Sequence, residues 1–93
     1  MIPTMPRVCF TPNLHKLVDV HEYEVAGSTI AQALEDVFSR QPTLQSYIVD
    51  DQKRLRRHIN VFVDGELIRG AHPLNTEIRP ESEIYIMQAL SGG

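Results

Sequence analysis

The sequence predicts an α+β domain, a mixed sheet of four to five strands with one main helix packed on one face. Three observations lead there. Runs rich in β-branched and aromatic residues stand near residues 7–10, 59–63 and 84–89. A single strong helical stripe lies between the early runs and the late ones. The length, 93 residues, suits one domain with one modest core.

Arg7-Val8-Cys9-Phe10 is a short β-favouring run bounded by Pro6 and Pro12. Val18, Val20, Tyr23 and Val25 mark a second extended stretch, with His21, Glu22 and Glu24 as its polar positions. Its alternation slips near His21 and Glu22, which a bulge or register shift reconciles. Gly27-Ser28-Thr29 opens the helix. Thr29 is the expected N-cap, and Gln32 three residues later fits a capping box. Ile30, Ala33, Leu34, Val37 and Phe38 share one helical stripe, with Gln32, Glu35, Asp36, Ser39 and Arg40 on the other side. Pro42 ends the helix, because the residue before a proline disfavours α geometry.

Leu44, Tyr47 and Ile48 keep helical spacing for about one turn, so a short 3₁₀ or α turn is expected to pack on the core here. Residues 50–57 read as a polar loop. Ile59–Val63 is a strand, Asp64-Gly65 a hairpin turn, and Leu67-Ile68 the return strand. Residues 70–80 form a loop anchored by Leu74, and residues 84–89 form the last strand. The order is strand, strand, helix, short turn, strand, strand, strand. A right-handed helix crossover must carry the first hairpin to a later central strand, and that arrangement is the β-grasp, or ubiquitin-like, fold. Residues 1–89 are expected to form the domain and residues 90–93 a flexible Gly-Gly tail.

Most kinds of chemistry have no support in the side chains. A single cysteine cannot form an internal disulfide or a multi-thiolate metal site, and Cys9, between Val8 and Phe10, reads as a buried structural thiol. His15, His21, His58 and His72 lack zinc-ligand spacing, so no metal is expected. The pairs Glu35-Asp36 and Asp50-Asp51 are adjacent residues that point apart or into solvent, and there is no phosphate-cradling glycine loop. A formal net charge of −3 argues against a general nucleic-acid binder. The basic run Lys53, Arg54, Arg56 and Arg57 reads either as a solvated loop or as a docking patch for an acidic partner. The longest apolar run is the four residues from Ile84 to Met87, too short to span a membrane. With no secretion pattern in residues 1–6, the cytoplasm is the expected location.

One feature is chemically unusual. Of 5 glycines, two are Gly92 and Gly93, separated from the last strand by Leu90 and Ser91. Two terminal glycines arise by chance about 0.5% of the time. An arm without Cβ atoms can enter a narrow channel in conformations other residues resist. It would carry a free α-carboxylate, a poor electrophile until adenylation turns it into a mixed anhydride. Sulfide or a persulfide could then attack the carbonyl and leave a thiocarboxylate.

Residues 58–69 (HINVFVDGELIR) and 83–93 (EIYIMQALSGG) resemble the corresponding segments of MoaD/ThiS-type sulfur-carrier proteins, and the helix from Thr29 matches the position of their single long helix. Arg54-Leu55-Arg56-Arg57 lies where cysteine-pathway and archaeal-type members often carry a basic loop. The chain departs from the family at Arg79-Pro80-Glu81-Ser82-Glu83, where many members have Asp-Gly-Asp. The resemblance implies a protein that is not an enzyme and holds no cofactor of its own. A ubiquitin-activating-like adenylyltransferase, using ATP, would adenylate Gly93, with Gly92 giving steric clearance. A sulfurtransferase or sulfide donor would then make the thiocarboxylate. A downstream synthase would take the sulfur for molybdopterin, thiamin thiazole, cysteine or a specialised metabolite.

Docking to those partners needs a surface. Ile59, Val61 and Val63 share one strand face and Phe62 takes the other. Ile84 and Ile86 likewise oppose Tyr85 and Met87. One helix covers one face, so Phe62, Met87 and Leu90 are expected to form an exposed apolar patch near the tail, with Arg56 and Arg57 as further partner contacts. The competing expectation packs the three apolar residues under the 44–48 segment. Two other functions compete with the carrier: a ubiquitin-like modifier joined to lysines through the same tail, and a plain β-grasp interaction domain.

Overall fold

The structure is a computed structural model, and it describes residues 5–10 and 22–88. Expectations for residues 18–21 and 89–93 lie outside the described residues. The elements are β1 (Arg7–Phe10), β2 (Glu22–Glu24), α1 (Ile30–Arg40), α2 (Pro42–Ile48), β3 (Ile59–Val63), β4 (Glu66–Leu67), a 3₁₀ turn (Pro73–Asn75) and β5 (Glu83–Gln88). The strands form one five-stranded mixed sheet in the order β2-β1-β5-β3-β4. This is the expected β-grasp arrangement. β3, the strand reached after the helices, lies inside the sheet, but the centre belongs to β5. β5 runs parallel to β1 and antiparallel to β3.

Local chemistry accounts for the boundaries. Thr29 caps α1 in extended conformation, and the Gln32 N–H donates to its Oγ1 at 3.2 Å. The return half of the capping box is shifted by one residue, since Gln32 Oε1 accepts from the Ser28 N–H at 2.7 Å. Gly27 has φ +146°, and a Cβ there would stand 2.8 Å from Gln32 Cβ and 3.0 Å from the Ala33 nitrogen, so only glycine fits. The Gln41 N–H closes α1 on the Val37 carbonyl at 2.8 Å, and Pro42 becomes the first residue of α2. In α2, Leu44 and Ile48 are buried while Tyr47 is exposed, so only two of the three residues expected to face the core do so.

At the hairpin, Asp64 (φ 50°) and Gly65 (φ 88°) take the paired left-handed conformations of a tight two-residue turn. Asp64 Oδ1 accepts from the Glu83 N–H at 3.0 Å, and the Asp64 N–H donates to the Glu83 carbonyl at 2.9 Å, tying that turn to the start of β5. The return strand is Glu66–Leu67. Ile68 follows it and still donates its N–H to the Val61 carbonyl at 2.9 Å.

The long loop before β5 has two anchors rather than one. Leu74 is partly buried, and Ile78 is buried. The Ile78 N–H bonds to the Ser28 carbonyl at 2.9 Å and the Ile30 N–H to the Thr76 carbonyl at 3.0 Å, which pins the loop to the start of α1. These bonds use donors and acceptors left over at a helix N-terminus, a demand that sequence periodicity does not reveal.

The core lies between one sheet face and both helices. Val8, Phe10, Tyr23, Ile59, Val61, Ile84 and Ile86 meet Ile30, Ala33, Leu34, Val37, Phe38, Leu44 and Ile48. Phe10 and Tyr23 pack edge to face at 5.9 Å. Fully burying each such aliphatic side chain contributes about 1.5–3 kcal/mol.

Neighbours on β5 therefore differ in what they contribute. Ile86→Ala should lower the unfolding free energy by about 3 kcal/mol, and Met87→Ala by less than about 1 kcal/mol, measured by urea denaturation.

Candidate functional site

The period of two along each strand sorts the side chains between the core and an open face. The registers Cys9↔Tyr85, Phe62↔Tyr85, Asn60↔Met87 and Phe62↔Leu67 place Cys9, Tyr85, Met87, Asn60, Phe62 and Leu67 together on the face away from the helices. Tyr85 and Met87 are 42% and 39% exposed, and Phe62 and Leu67 are half-buried between their neighbours. Among the described residues no helix covers this face.

An ion triad closes it at the start of β5. The Arg7 guanidinium bridges Glu22 at 3.0 Å and Glu83 at 3.1 Å. All three groups are solvent-accessible, so each pair contributes no more than about 1 kcal/mol. Met87 lies at the opposite end of the strand, next to Gln88, from which residues 89–93 continue.

Cys9 sits under this face and is buried. Burial raises its thiol pKa, and the carboxylates of Glu22 and Glu83 raise it further against the opposing pull of Arg7. Tyr85 is also raised, first by Cys9 and then by Glu83, which disfavour a second negative charge nearby. Neither group is prepared for nucleophilic work.

The basic segment between α2 and β3 has a built turn. Asp50 Oδ1 accepts from the Gln52 and Arg54 N–H groups, both at 2.9 Å. Those bonds, the Arg54 one first, hold the Asp50 carboxyl below its usual range. Lys53 takes φ 61° at the tip of the turn. Leu55 pairs with Val49 and packs on the core, so the segment is less polar than its composition implies. Arg56 turns inward, its Nε donating to the Ser46 carbonyl at 2.7 Å. Arg57 is exposed and makes no salt bridge among the described residues.

Of the residues singled out from sequence, the structure brings Phe62 and Met87 onto one face. It separates Arg56, a tether to α2, from Arg57, which faces solvent. Leu90, Gly92 and Gly93 lie outside the described residues. Tyr85 and Leu67 complete the apolar face and were not singled out. The alternation of β5 carried the signal for Tyr85, but Leu67 joins only through the hairpin register. Among the described residues no group of three or more His, Cys, Asp or Glu side chains could hold a metal ion. No helix among them is long and apolar enough to cross a membrane.

Among the described residues, a central parallel strand pair, one long helix and an apolar sheet face that no helix covers define a ubiquitin-like β-grasp protein. More particularly, the chain belongs to the ThiS family, whose model matches residues 13–93. Its fold is similar to a chain of the Amycolatopsis orientalis BexX/CysO complex, with TM-score 0.83 and 27% identity over 95% of this chain and 99% of that one. It is also similar to small archaeal modifier protein 1 from Methanosarcina acetivorans, with TM-score 0.81 and 24% identity over 100% of both chains. Mycobacterium tuberculosis CysO, at TM-score 0.79 and 19% identity over 91% of this chain and 99% of that one, shares the fold. No curated protein sequence matches the chain. The protein is a sulfur carrier or ubiquitin-like modifier. Members of this family are generally small non-catalytic carriers that work with E1-like activating enzymes and sulfur-transfer partners.

The buried, raised thiol makes a direct prediction. Iodoacetamide at pH 8 should modify Cys9 at least about 100-fold more slowly in the folded chain than in urea. Comparable rates, followed by mass spectrometry, would contradict its burial.

Proposed function

We propose that the chain is a sulfur carrier whose reacting group is the α-carboxylate of Gly93. The observation that supports this most is that the family match runs through residue 93, so Gly92 and Gly93 fall inside the matched segment. In this reading residues 1–89 are the handle and residues 90–93 the reactive arm, and the chain itself catalyses nothing.

The chemistry then follows from the weakness of a carboxylate as an electrophile. In a ubiquitin-activating-like adenylyltransferase, a Gly93 carboxylate oxygen attacks the α-phosphorus of ATP and pyrophosphate leaves. Hydrosulfide attacks the resulting acyl adenylate, the C–O bond to AMP breaks, one proton is released and a thiocarboxylate remains. A sulfurtransferase persulfide gives the same product through an acyl disulfide, which a second thiol must reduce. The downstream partner is a synthase that accepts this sulfur in cofactor or metabolite biosynthesis, in the cytoplasm. Glycine at position 92 lets the arm lie in a channel too narrow for a Cβ.

Gly93 is the fifth residue after Gln88. At no more than about 3.6 Å per residue, the carboxylate stays within about 18 Å of the sheet. The docking surface must therefore sit close to the end of β5. Phe62 and Met87, joined by Tyr85 and by Leu90 from the arm, meet that requirement and supply aromatic and methionine side chains of the kind enriched at interfaces. Arg57 adds a charge nearby, and Arg56 holds the loop that presents it.

The test is the fate of the tail in cells. Intact-mass analysis should show the gain of one oxygen-to-sulfur exchange, and deletion of Gly92 and Gly93 should abolish it. Lysine-linked Gly-Gly remnants on other proteins would instead establish the modifier reading. Full function of the truncated chain would leave a plain interaction domain. On the docking face, Met87→Asp should raise the carrier's KM in the adenylation assay about tenfold or more while leaving the thermal midpoint within a few degrees. An unchanged KM would remove the face from the proposal.

A further inference from the structure

Two segments distant in sequence meet beside the end of the sheet from which the arm continues. Ile59, the first residue of β3, pairs with Gln88, the last of β5, so the basic turn leading into β3 stands at that end. β4 runs antiparallel to β3, and the chain after it returns towards the same end. The turn and the 70–75 segment line one hollow of about 580 Å³, whose wall includes Lys53, Arg54, Arg57 and His72, with Leu74 among its apolar lining.

Asp50 also lines the hollow, but its Oδ1 accepts two backbone N–H groups that shape the turn, and its other oxygen stands 3.5 Å from Arg54. The Lys53 ammonium is 3.8 Å from Glu35, an exposed and weak pairing. Arg57 makes no salt bridge among the described residues. The hollow therefore offers one cation, Arg57, with no salt bridge among the described residues, beside Lys53 and Arg54, whose pairings are long and exposed.

At the far end of the sheet the charge reverses. A second hollow there is lined by Asp64, Glu66, Glu77 and Glu81, with Arg79 the single cation. A chain of net charge −3 thus carries its cationic hollow at the end of the sheet where β5 finishes and its acidic hollow at the end where β5 starts. An approaching acidic surface would be oriented with the arm towards it. Nucleic acid fits less well, because no Phe, Tyr or Trp lines the hollow for base stacking and the remaining charge repels phosphates.

We infer that the hollow between the 50–57 turn and the 70–75 segment receives an acidic segment of the adenylating partner, with an apolar side chain resting on Leu74. This rests on the carrier reading and adds to it a second docking contact, electrostatic rather than apolar. It also assigns Lys53 and Arg54 a role beside Arg57.

The experiment is ATP–pyrophosphate exchange by the adenylating enzyme of the same genome, with full-length wild type, Arg57→Glu and Arg57→Lys. Arg57→Glu should raise the KM for the carrier about tenfold with kcat within about twofold. Arg57→Lys should stay near wild type, and the wild-type KM should rise more steeply with salt than that of Arg57→Glu. An unchanged KM for Arg57→Glu overturns the inference alone, as does an equal loss in Arg57→Lys. Binding of a short single-stranded RNA by the wild type but not by Arg57→Glu, without a KM effect, overturns it in favour of nucleic acid. No exchange with the wild-type chain overturns the carrier reading and this inference with it.

Discussion

The structure depends on β5 taking the centre of the sheet. Ile84 and Ile86 are fully buried there, between β1 on one side and β3 on the other. The parallel register joins Arg7 to Glu83, so the first strand cannot complete its pairing until the last has been made. Closing so long a loop costs conformational entropy before any contact offsets it, which ties both ends of the chain to one cooperative event. Residues 89–93, which include the terminal glycines, follow directly on this strand in sequence. A reacting group placed on such a segment has a fixed origin relative to every docking surface on the domain.

The same strand separates two environments. Ile84 and Ile86 hold the core together, and Tyr85 and Met87 stand exposed on the other side. Because the two sets alternate, the outer face can change its chemistry without emptying the core. Its open side is bounded by the Arg7 triad at one end and by the root of the arm at the other. Cys9 beneath it is held neutral by burial and by Glu22 and Glu83. The protein's one thiol is thus kept out of the sulfur chemistry proposed for the carboxylate.

Charge is arranged along the strand direction as well. The Asp50 turn sets its cations at the arm end, while the hairpin and the loop before β5 gather acids at the other. Neither group is a run of one sign in sequence, apart from residues 53–57. Their separation follows from the antiparallel return of β4 and the path of the loop behind it.

The sequence by itself determined the element types, because period, capping and turn chemistry are local. Thr29 with Gln32 set the helix start, Pro42 its end, and Asp64-Gly65 the hairpin. It also marked the Gly-Gly terminus and the alternation that put Phe62 and Met87 opposite the core. Tertiary structure decided what depends on which strands are neighbours. It exposed Tyr47, buried Ile78 against the start of the helix and turned Arg56 inward onto Ser46. It brought Leu67 beside Phe62 on the outer sheet face and His72 to the basic hollow. Each of those outcomes needs a partner distant in the chain, and spacing along one segment carries no record of that partner's position.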